Sequence, residues 1–288
     1  MQKLITPYAS NFGHAKGRAS KPNITIKHFP DTESYVQIPQ IKKLKNKAVL
    51  LSHSLYPEPD KRIFELLLIL SRLKEAKARV ELFIPYLPYA RQDRENKLGE
   101  AISADVLCEL LKNFGVKKLI TYDCHFLPKY GNFTRNGLNI ENKTASRLLY
   151  LYAKKYFKKE KFLIISPDQG ASYFTEHAEG HTLHKKRKAS VATGNNTEIY
   201  AHIHKIESDI DVDGKNICIL DDMISTGSTM MKTIEHLKEK GAKKVIVGAT
   251  HGIFAGVDIA QKIIDSSCDH IFTTNSITRE PDTKVTIL

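Results

Sequence analysis

Two stretches of this chain repeat each other at a fixed separation, and a repeat that long limits the folds open to it. Gly115-Val116-Lys117-Lys118-Leu119-Ile120 is followed after four residues by His125-Phe126. Gly241-Ala242-Lys243-Lys244-Val245-Ile246 is followed in the same way by His251, with Ile253-Phe254 just behind. Each matched position in the second copy lies 126 residues after its counterpart. Both copies follow an amphipathic helix pattern, at Ala104 to Asn113 and Ser228 to Lys240. Solenoid repeats recur every ~20–50 residues, so this spacing reads as two related domains. A chain of 288 residues has room for both.

Each half alternates strand and helix signals. Ala48 to Leu51, Val80 to Ile84 and Lys118 to Tyr122 read as strands in the first half. Asp60 to Lys77 reads as a helix with Ile63, Leu66, Leu67 and Leu70 on one face and Asp60 as its N-cap. Phe162 to Ile165, Ile217 to Leu220 and Val245 to Val247 are the β-rich runs of the second half. The pattern predicts an α/β fold of two tandem domains, each with a mostly parallel sheet flanked by helices. The Asn- and Gly-rich stretch Tyr130 to Asn142 places the boundary, giving domains 1–139 and 140–288 and leaving the last segment room to pack back on the first. His181 to Thr197, rich in Lys, Arg, Gly and Asn, reads as a mobile loop.

Charge and composition mainly exclude. The net charge of +12 raises nucleic acid as a partner. The lysines are scattered, however, and no aromatic-basic stripe or DNA-reading motif accompanies them, so a basic proteome or a site for phosphorylated substrates accounts for the charge better. Apolar runs fall far short of the ~20 residues that span a bilayer. The start Met1-Gln2-Lys3-Leu4-Ile5 lacks a secretory h-region. Cys108, Cys124, Cys218 and Cys268 form no C-x-x-C pair; Cys108 and Cys218 read as small buried hydrophobes. A cytoplasmic protein is expected, with no membrane partner.

The most specific chemical signal is Ile217-Cys218-Ile219-Leu220-Asp221-Asp222-Met223-Ile224-Ser225-Thr226-Gly227-Ser228-Thr229. Apolar residues supply a buried strand, and two carboxylates stand at its C-terminal end, where open α/β sheets bind ligands. A turn of small hydroxylated residues and a glycine then opens onto a helix. N–H groups there, with the hydroxyls of Ser225, Thr226, Ser228 and Thr229, make a phosphate cradle. Asp221 and Asp222 suit the vicinal hydroxyls of a ribose phosphate. The plainer alternative, a helix N-cap with acidic neighbours, is common, but two adjacent aspartates after four apolar residues make it the weaker reading.

Other segments are ambiguous alone. In Ile84-Pro85-Tyr86-Leu87-Pro88-Tyr89-Ala90-Arg91-Gln92-Asp93-Arg94, Arg91 can stack on a purine or grip a phosphate, and Gln92 can read a base edge. Phe29-Pro30-Asp31-Thr32-Glu33 reads as an ordinary turn. Asp123-Cys124-His125 offers a carboxylate and an imidazole after a strand, more often structural than ligating. Ser166-Pro167-Asp168-Gln169-Gly170 ends a strand, and His184-Lys185-Lys186-Arg187-Lys188 is a basic cluster of the kind usually solvated.

Together these segments resemble the ribose-phosphate pyrophosphokinases. Asp221 to Thr229 looks like the phosphoribosyl-diphosphate loop that this family shares with type I phosphoribosyltransferases, while Arg91-Gln92 is similar to the pair that contacts ATP in the pyrophosphokinases. The resemblance runs from about Asp31 to Thr274, and the length and S-T-G-S-T loop resemble the shorter archaeal-type members. It implies two type I phosphoribosyltransferase-like domains and a cytoplasmic homo-oligomer, dimer or larger. ATP and ribose 5-phosphate are the implied substrates. It assigns ATP to Asp31, Glu33, Arg91, Gln92, Asp93 and His125, with Thr32 standing where the family's glycine is usual. Ribose 5-phosphate falls to Asp221, Asp222, Ser225, Thr226, Gly227, Ser228 and Thr229, and magnesium to His125 and Asp168. Lys185 and Arg187 fit the K-x-R pair on a loop that closes over the transferring phosphates; Lys186 with Lys188 has the spacing without the arginine. Three rivals are set against it: a phosphoribosyltransferase, which would not need the first domain or Arg91-Gln92; a non-catalytic regulatory homologue, expected to lose loop or metal residues; and a nucleic-acid regulator on the same fold, which would need an added DNA-binding segment.

Overall fold

Alternating strand and helix patterns resolve into two six-stranded sheets, one in each half of the chain. A computed structural model describes residues 1–10, 21–158, 160–167, 173–174, 210–277 and 282–288, and the backbone of 180–182, 184–185 and 206–207. The chain divides into a first unit, Met1–Thr144 with Asn275–Glu280, and a second, Ala145–Thr274 with Pro281–Leu288.

The first unit contains β1 (Gln2–Ile5), β2 (Thr25–His28), β3 (Ser34–Gln37), β4 (Ala48–Ser52), α1 (Pro59–Glu75), β5 (Arg79–Phe83), α2 (Ser103–Asn113), β6 (Val116–Tyr122), β7 (Gly131–Arg135) and β8 (Leu138–Lys143). Its sheet runs β1-β4-β5-β6-β8-β7, parallel except for β7 against β8; β2 and β3 form a separate hairpin. The second unit contains α3 (Ser146–Tyr156), β9 (Phe162–Ser166), β10 (Gly180–Thr182), β11 (His184–Lys185), β12 (Ile206–Glu207), β13 (Asn216–Ile224), α4 (Ser228–Glu239), β14 (Lys244–Gly252), α5 (Ile259–Asp265), β15 (His270–Thr273) and β16 (Val285–Ile287). Its sheet, β10-β9-β13-β14-β15-β16, is parallel throughout, and β11 pairs antiparallel with β12.

The repeat has a physical basis. Gly115 and Gly241 both follow a helix at φ +94° and +86°, and their N–H groups return to the carbonyls of Lys112 and Lys238 at 3.0 Å. A left-handed residue ends each helix there at little cost only if it lacks a Cβ. The basic and aliphatic residues that follow open β6 and β14. In both units a four-strand parallel core keeps one order, β4-β5-β6-β8 and β9-β13-β14-β15.

Strand alternation splits the second core between the two faces of its sheet. Ile217 and Ile219 of β13 pack with Met230, Ile234 and Leu237 of α4, whereas Cys218 and Leu220 pack with Leu149 and Ala153 of α3. In the first unit α1 buries Leu66, Ile69, Leu70 and Leu73 completely, worth about 1.5–3 kcal/mol each. All four cysteines are buried and in no disulfide, and burial pushes the Cys108 thiol up to about 11 and Cys268 to about 12.

Three expectations are corrected. The stretch Tyr130 to Asn142 forms the β7–β8 hairpin, part of the first sheet, and the units divide after Thr144. Its turn is Asn136-Gly137, at φ +47° and +72°, the geometry that two-residue hairpins prefer. Asp60 is not the cap of α1; it lies in the first turn and accepts a hydrogen bond from the Tyr89 hydroxyl. The buried stripe of α1 is Glu65, Leu66, Ile69, Leu70 and Leu73, rotated from the expected one to take in a glutamate. Of the loop expected at His181 to Thr197, residues 183 and 186–197 lie outside the described residues. Among the described residues no helix is long and apolar enough to cross a membrane.

Candidate active site

The carboxylates expected after a short strand stand within a longer one. β13 continues through Asp221 and Asp222 to Ile224, because β14 stays paired with it as far as Ile224 opposite Gly252. Pairing with β9 ends earlier, at Ile219 opposite Ile165. The aspartates thus stand on a central strand beyond the end of one neighbour. Both are nearly buried, and Oδ1 of Asp221 accepts the Asp222 N–H at 3.0 Å. Successive residues of a strand face opposite ways, so the two side chains flank the strand.

Only Ser225, Thr226 and Gly227 separate β13 from α4. Gly227 makes that turn possible. It sits at φ +76°, and a Cβ there would stand 3.1 Å from Ile259 and Ile263 of α5. Its carbonyl accepts the Met231 N–H at 2.9 Å, the first bond of α4. The Ile224 carbonyl accepts N–H groups from Ile253 and Phe254, and that of Ser225 accepts Ala255 at 3.1 Å, which fixes the turn from behind. In front, the hydroxyls of Thr226 and Ser228 lie 3.0 Å apart, and no acidic side chain occupies the first turn of α4. A helix start with unspent N–H groups and that dipole favours an anion. The structure therefore brings Asp221, Asp222 and Ser225 to Thr229 together in one place.

The expected nucleotide residues arrive from three segments of the first unit. Arg91, Gln92 and Asp93 lie in the loop between β5 and α2, the same junction that carries the cradle in the second unit. Arg91 is exposed. The Gln92 side-chain amide donates to the Arg94 carbonyl and to Glu100, both at 3.3 Å, so it braces its own loop. Glu100 also accepts N–H groups from Asn96 and Lys97, and those bonds hold its carboxyl below the usual range. His125 is exposed just after β6, beside the buried Cys124, whose N–H is held by the Asn142 side chain at 3.0 Å. Asp31 and Glu33 lie exposed in the β2–β3 turn. Thr32 adopts φ +75° there, the left-handed region that favours glycine, so a β-branched residue bears the strain of the turn.

Sequence reasoning missed Arg135. Its guanidinium donates to the Asp93 carbonyl and to the Asp105 carboxylate, each at 2.6 Å, and lies 4.4 Å over the ring of Phe126. One side chain thus ties the Arg91–Asp93 loop to the residue after His125. Only its place beside the Asn136-Gly137 turn hinted at a fixed position.

Lys185 lies in the two-residue strand β11; Arg187 and Asp168 lie outside the described residues.

Comparison with known proteins bears on the whole chain. Residues 15–115 match the family model described as the N-terminal domain of ribose phosphate pyrophosphokinase, and residues 163–286 match the phosphoribosyl synthetase-associated domain. The chain is 35% identical to the ribose-phosphate pyrophosphokinase of Sulfurisphaera tokodaii over 285 residues, covering 93% of this chain and 90% of the relative. It is 32% identical to that of Pyrococcus abyssi over 271 residues, covering 90% and 85%. The crystal structure of phosphoribosylpyrophosphate synthetase from Mycobacterium smegmatis aligns with a TM-score of 0.74 at 24% identity, covering 100% of this chain and 94% of that one, a likeness of fold.

Proposed function

The chain belongs to the ribose-phosphate pyrophosphokinase family, and on that premise we propose how its own residues divide the work. It is an enzyme that transfers the diphosphoryl group of ATP to the anomeric hydroxyl of ribose 5-phosphate, giving phosphoribosyl diphosphate and AMP. The anomeric oxygen attacks the β-phosphorus, and the bridge to the α-phosphate breaks. Such transfers depend on positioning and charge neutralisation, with no protein nucleophile required.

The observation that carries the assignment of the sugar site is the β13–α4 junction. Asp221 and Asp222 flank the strand end, so a ribose that engages both lies across it through its vicinal hydroxyls. The 5-phosphate takes the N–H groups of the Gly227–Thr229 turn and the hydroxyls of Ser225, Thr226, Ser228 and Thr229. ATP falls to Asp31, Glu33, Arg91, Gln92, Asp93 and His125. The Gln92 side-chain nitrogen is engaged with Arg94 and Glu100, which leaves its carbonyl oxygen to accept from the base edge. Lys185 and Arg187 meet the charge that develops on the transferring group, a contribution on the order of 3 kcal/mol.

Magnesium belongs to the same proposal. Among the described residues no three His, Cys, Asp or Glu side chains are gathered as a metal cage. The family resemblance assigns the ion to His125, exposed after β6, and to Asp168, and so sparse a set suits an ion that keeps waters and substrate phosphates among its ligands. When bound, the ion neutralises phosphate charge. A cytoplasmic setting and assembly into a homo-oligomer, dimer or larger, follow from the family resemblance.

The test is release of AMP and phosphoribosyl diphosphate from ATP, ribose 5-phosphate and magnesium. Lys185→Ala and Arg187→Ala should each lower kcat by about 100-fold or more with little change in KM. Wild-type turnover in either variant would remove its catalytic role, and pyrophosphate release on adding a nucleobase without ATP would favour a phosphoribosyltransferase.

A further inference from the structure

The first unit buries a carboxylate that the chemistry above does not use. Glu65 lies on the inward stripe of α1, wholly buried. Its Oε1 accepts three donors: Nε2 of His28 at 3.0 Å, the Ser34 hydroxyl at 3.1 Å and the Tyr8 hydroxyl at 3.4 Å. Oε2 is buried with no hydrogen-bond partner among the described residues. Burying a carboxylate is costly, and here its three hydrogen bonds offset part of that cost and fix the groups that donate them.

What it holds is the β2–β3 hairpin. His28 and Ser34 face each other as the last paired rung before the turn 29–33. Cross-strand partners project to one face, so both side chains turn toward α1 while their neighbours Phe29 and Glu33 project away from it. The Phe29 N–H bonds the Glu33 carbonyl at 2.9 Å, and the Thr32 N–H bonds that of Phe29 at 2.9 Å, so a fixed rung sets the whole turn. Tyr8 completes the clamp. The Arg62 guanidinium lies 3.9 Å over its ring, while burial and Glu65 push its hydroxyl up to about 12, which keeps it a donor.

We propose that Glu65 is a positioning residue for the nucleotide: through His28 and Ser34 it sets the turn that presents Asp31 and Glu33 to ATP. The proposal rests on reading that turn as a nucleotide contact. Glu65 itself touches no substrate. Its loss therefore acts on nucleotide binding alone.

Three variants test it by steady-state kinetics on the full chain, with ATP and ribose 5-phosphate varied separately. Ser34→Ala removes one donor at a partly exposed site and should raise KM for ATP about three- to tenfold, the range set by the net worth of one hydrogen bond. KM for ribose 5-phosphate and kcat should stay within about twofold, and Ser34→Thr, which keeps the hydroxyl, should recover the parent value. Glu65→Gln should shift KM for ATP further in the same direction. Asp31→Asn reports on the underlying reading: if it leaves KM for ATP unchanged, the turn is no nucleotide contact and both claims fall. If Asp31→Asn raises KM for ATP while Ser34→Ala leaves it at the parent value, the positioning role alone is refuted. An equal rise for both substrates in Ser34→Ala refutes it too, because the clamp would then be a general support.

Discussion

Gly227→Ala isolates the turn on which the sugar-phosphate site depends. At φ +76° an alanine pays about 1–2 kcal/mol for the left-handed conformation, offset by about 0.4–1 kcal/mol through loss of unfolded-state freedom. The new methyl also meets Ile259 and Ile263 at 3.1 Å, so α5 must yield by a few tenths of an ångström or the turn must open. An opened turn withdraws backbone N–H groups from the phosphate. One charge-assisted bond is worth about 1.5–3 kcal/mol, so kcat/KM for ribose 5-phosphate should fall about 10- to 100-fold. KM for ATP should hold within about twofold. Gly99→Ala is the control: its φ is +90°, yet nothing lies within 4 Å of an added Cβ. It carries the backbone strain without the wall. Thermal melts should fall by about 2–4 °C per kcal/mol in both variants, while the ribose 5-phosphate kinetics change only in Gly227→Ala. Equal kinetics in the two variants, or a parent-like Gly227→Ala, would refute the assignment of the phosphate to this turn.

Two further outcomes follow from the first unit. Arg135→Met removes the bonds to Asp93 and Asp105 and the stacking on Phe126; KM for ATP should rise about tenfold, and Arg135→Lys should recover little because an ammonium cannot reproduce the fork. Unchanged ATP kinetics in Arg135→Met would show that the loop holds without it. His53 is fully buried, and burial drives its imidazole down to about 4, so it is neutral in the folded chain but protonates near 6.5 when unfolded. Its contribution is therefore complete above pH 6.5 and lost as pH falls toward 4, on the order of 3 kcal/mol. Urea melts at pH 7.5 and 4.5 should differ by less in His53→Gln than in the parent; an identical difference would exclude His53 as the source.

The two halves of the site differ in how far they could be read from sequence. The sugar-phosphate cradle was legible because strand, carboxylates, turn and helix start are contiguous, so local chemistry carries the geometry. The strand's true end was not, since β14 extends it past Leu220 by pairing that no local pattern encodes. On the nucleotide side only single residues could be named. The bonds that set them, Arg135 to Asp93 and Glu65 to Ser34, join residues 42 and 31 positions apart. Glu65 left one faint trace: it lies four and eight residues before Ile69 and Leu73 on the buried stripe. The Asn136-Gly137 turn was a clearer signal and was read as a boundary, because a polar composition outweighed the alternation of Phe133, Leu138 and Ile140 around it.

Both units put a loop after the second strand of the four-strand core, three residues long (225–227) in one and nineteen (84–102) in the other. Closing a longer loop costs only about 0.6 kcal/mol per doubling, so less than about 2 kcal/mol of closure entropy separates the two. A protein engineer could therefore treat that joint as a socket. Transplanting the short version into the first unit, or grafting new recognition segments there, rewrites ligand choice while every strand register stays as it is.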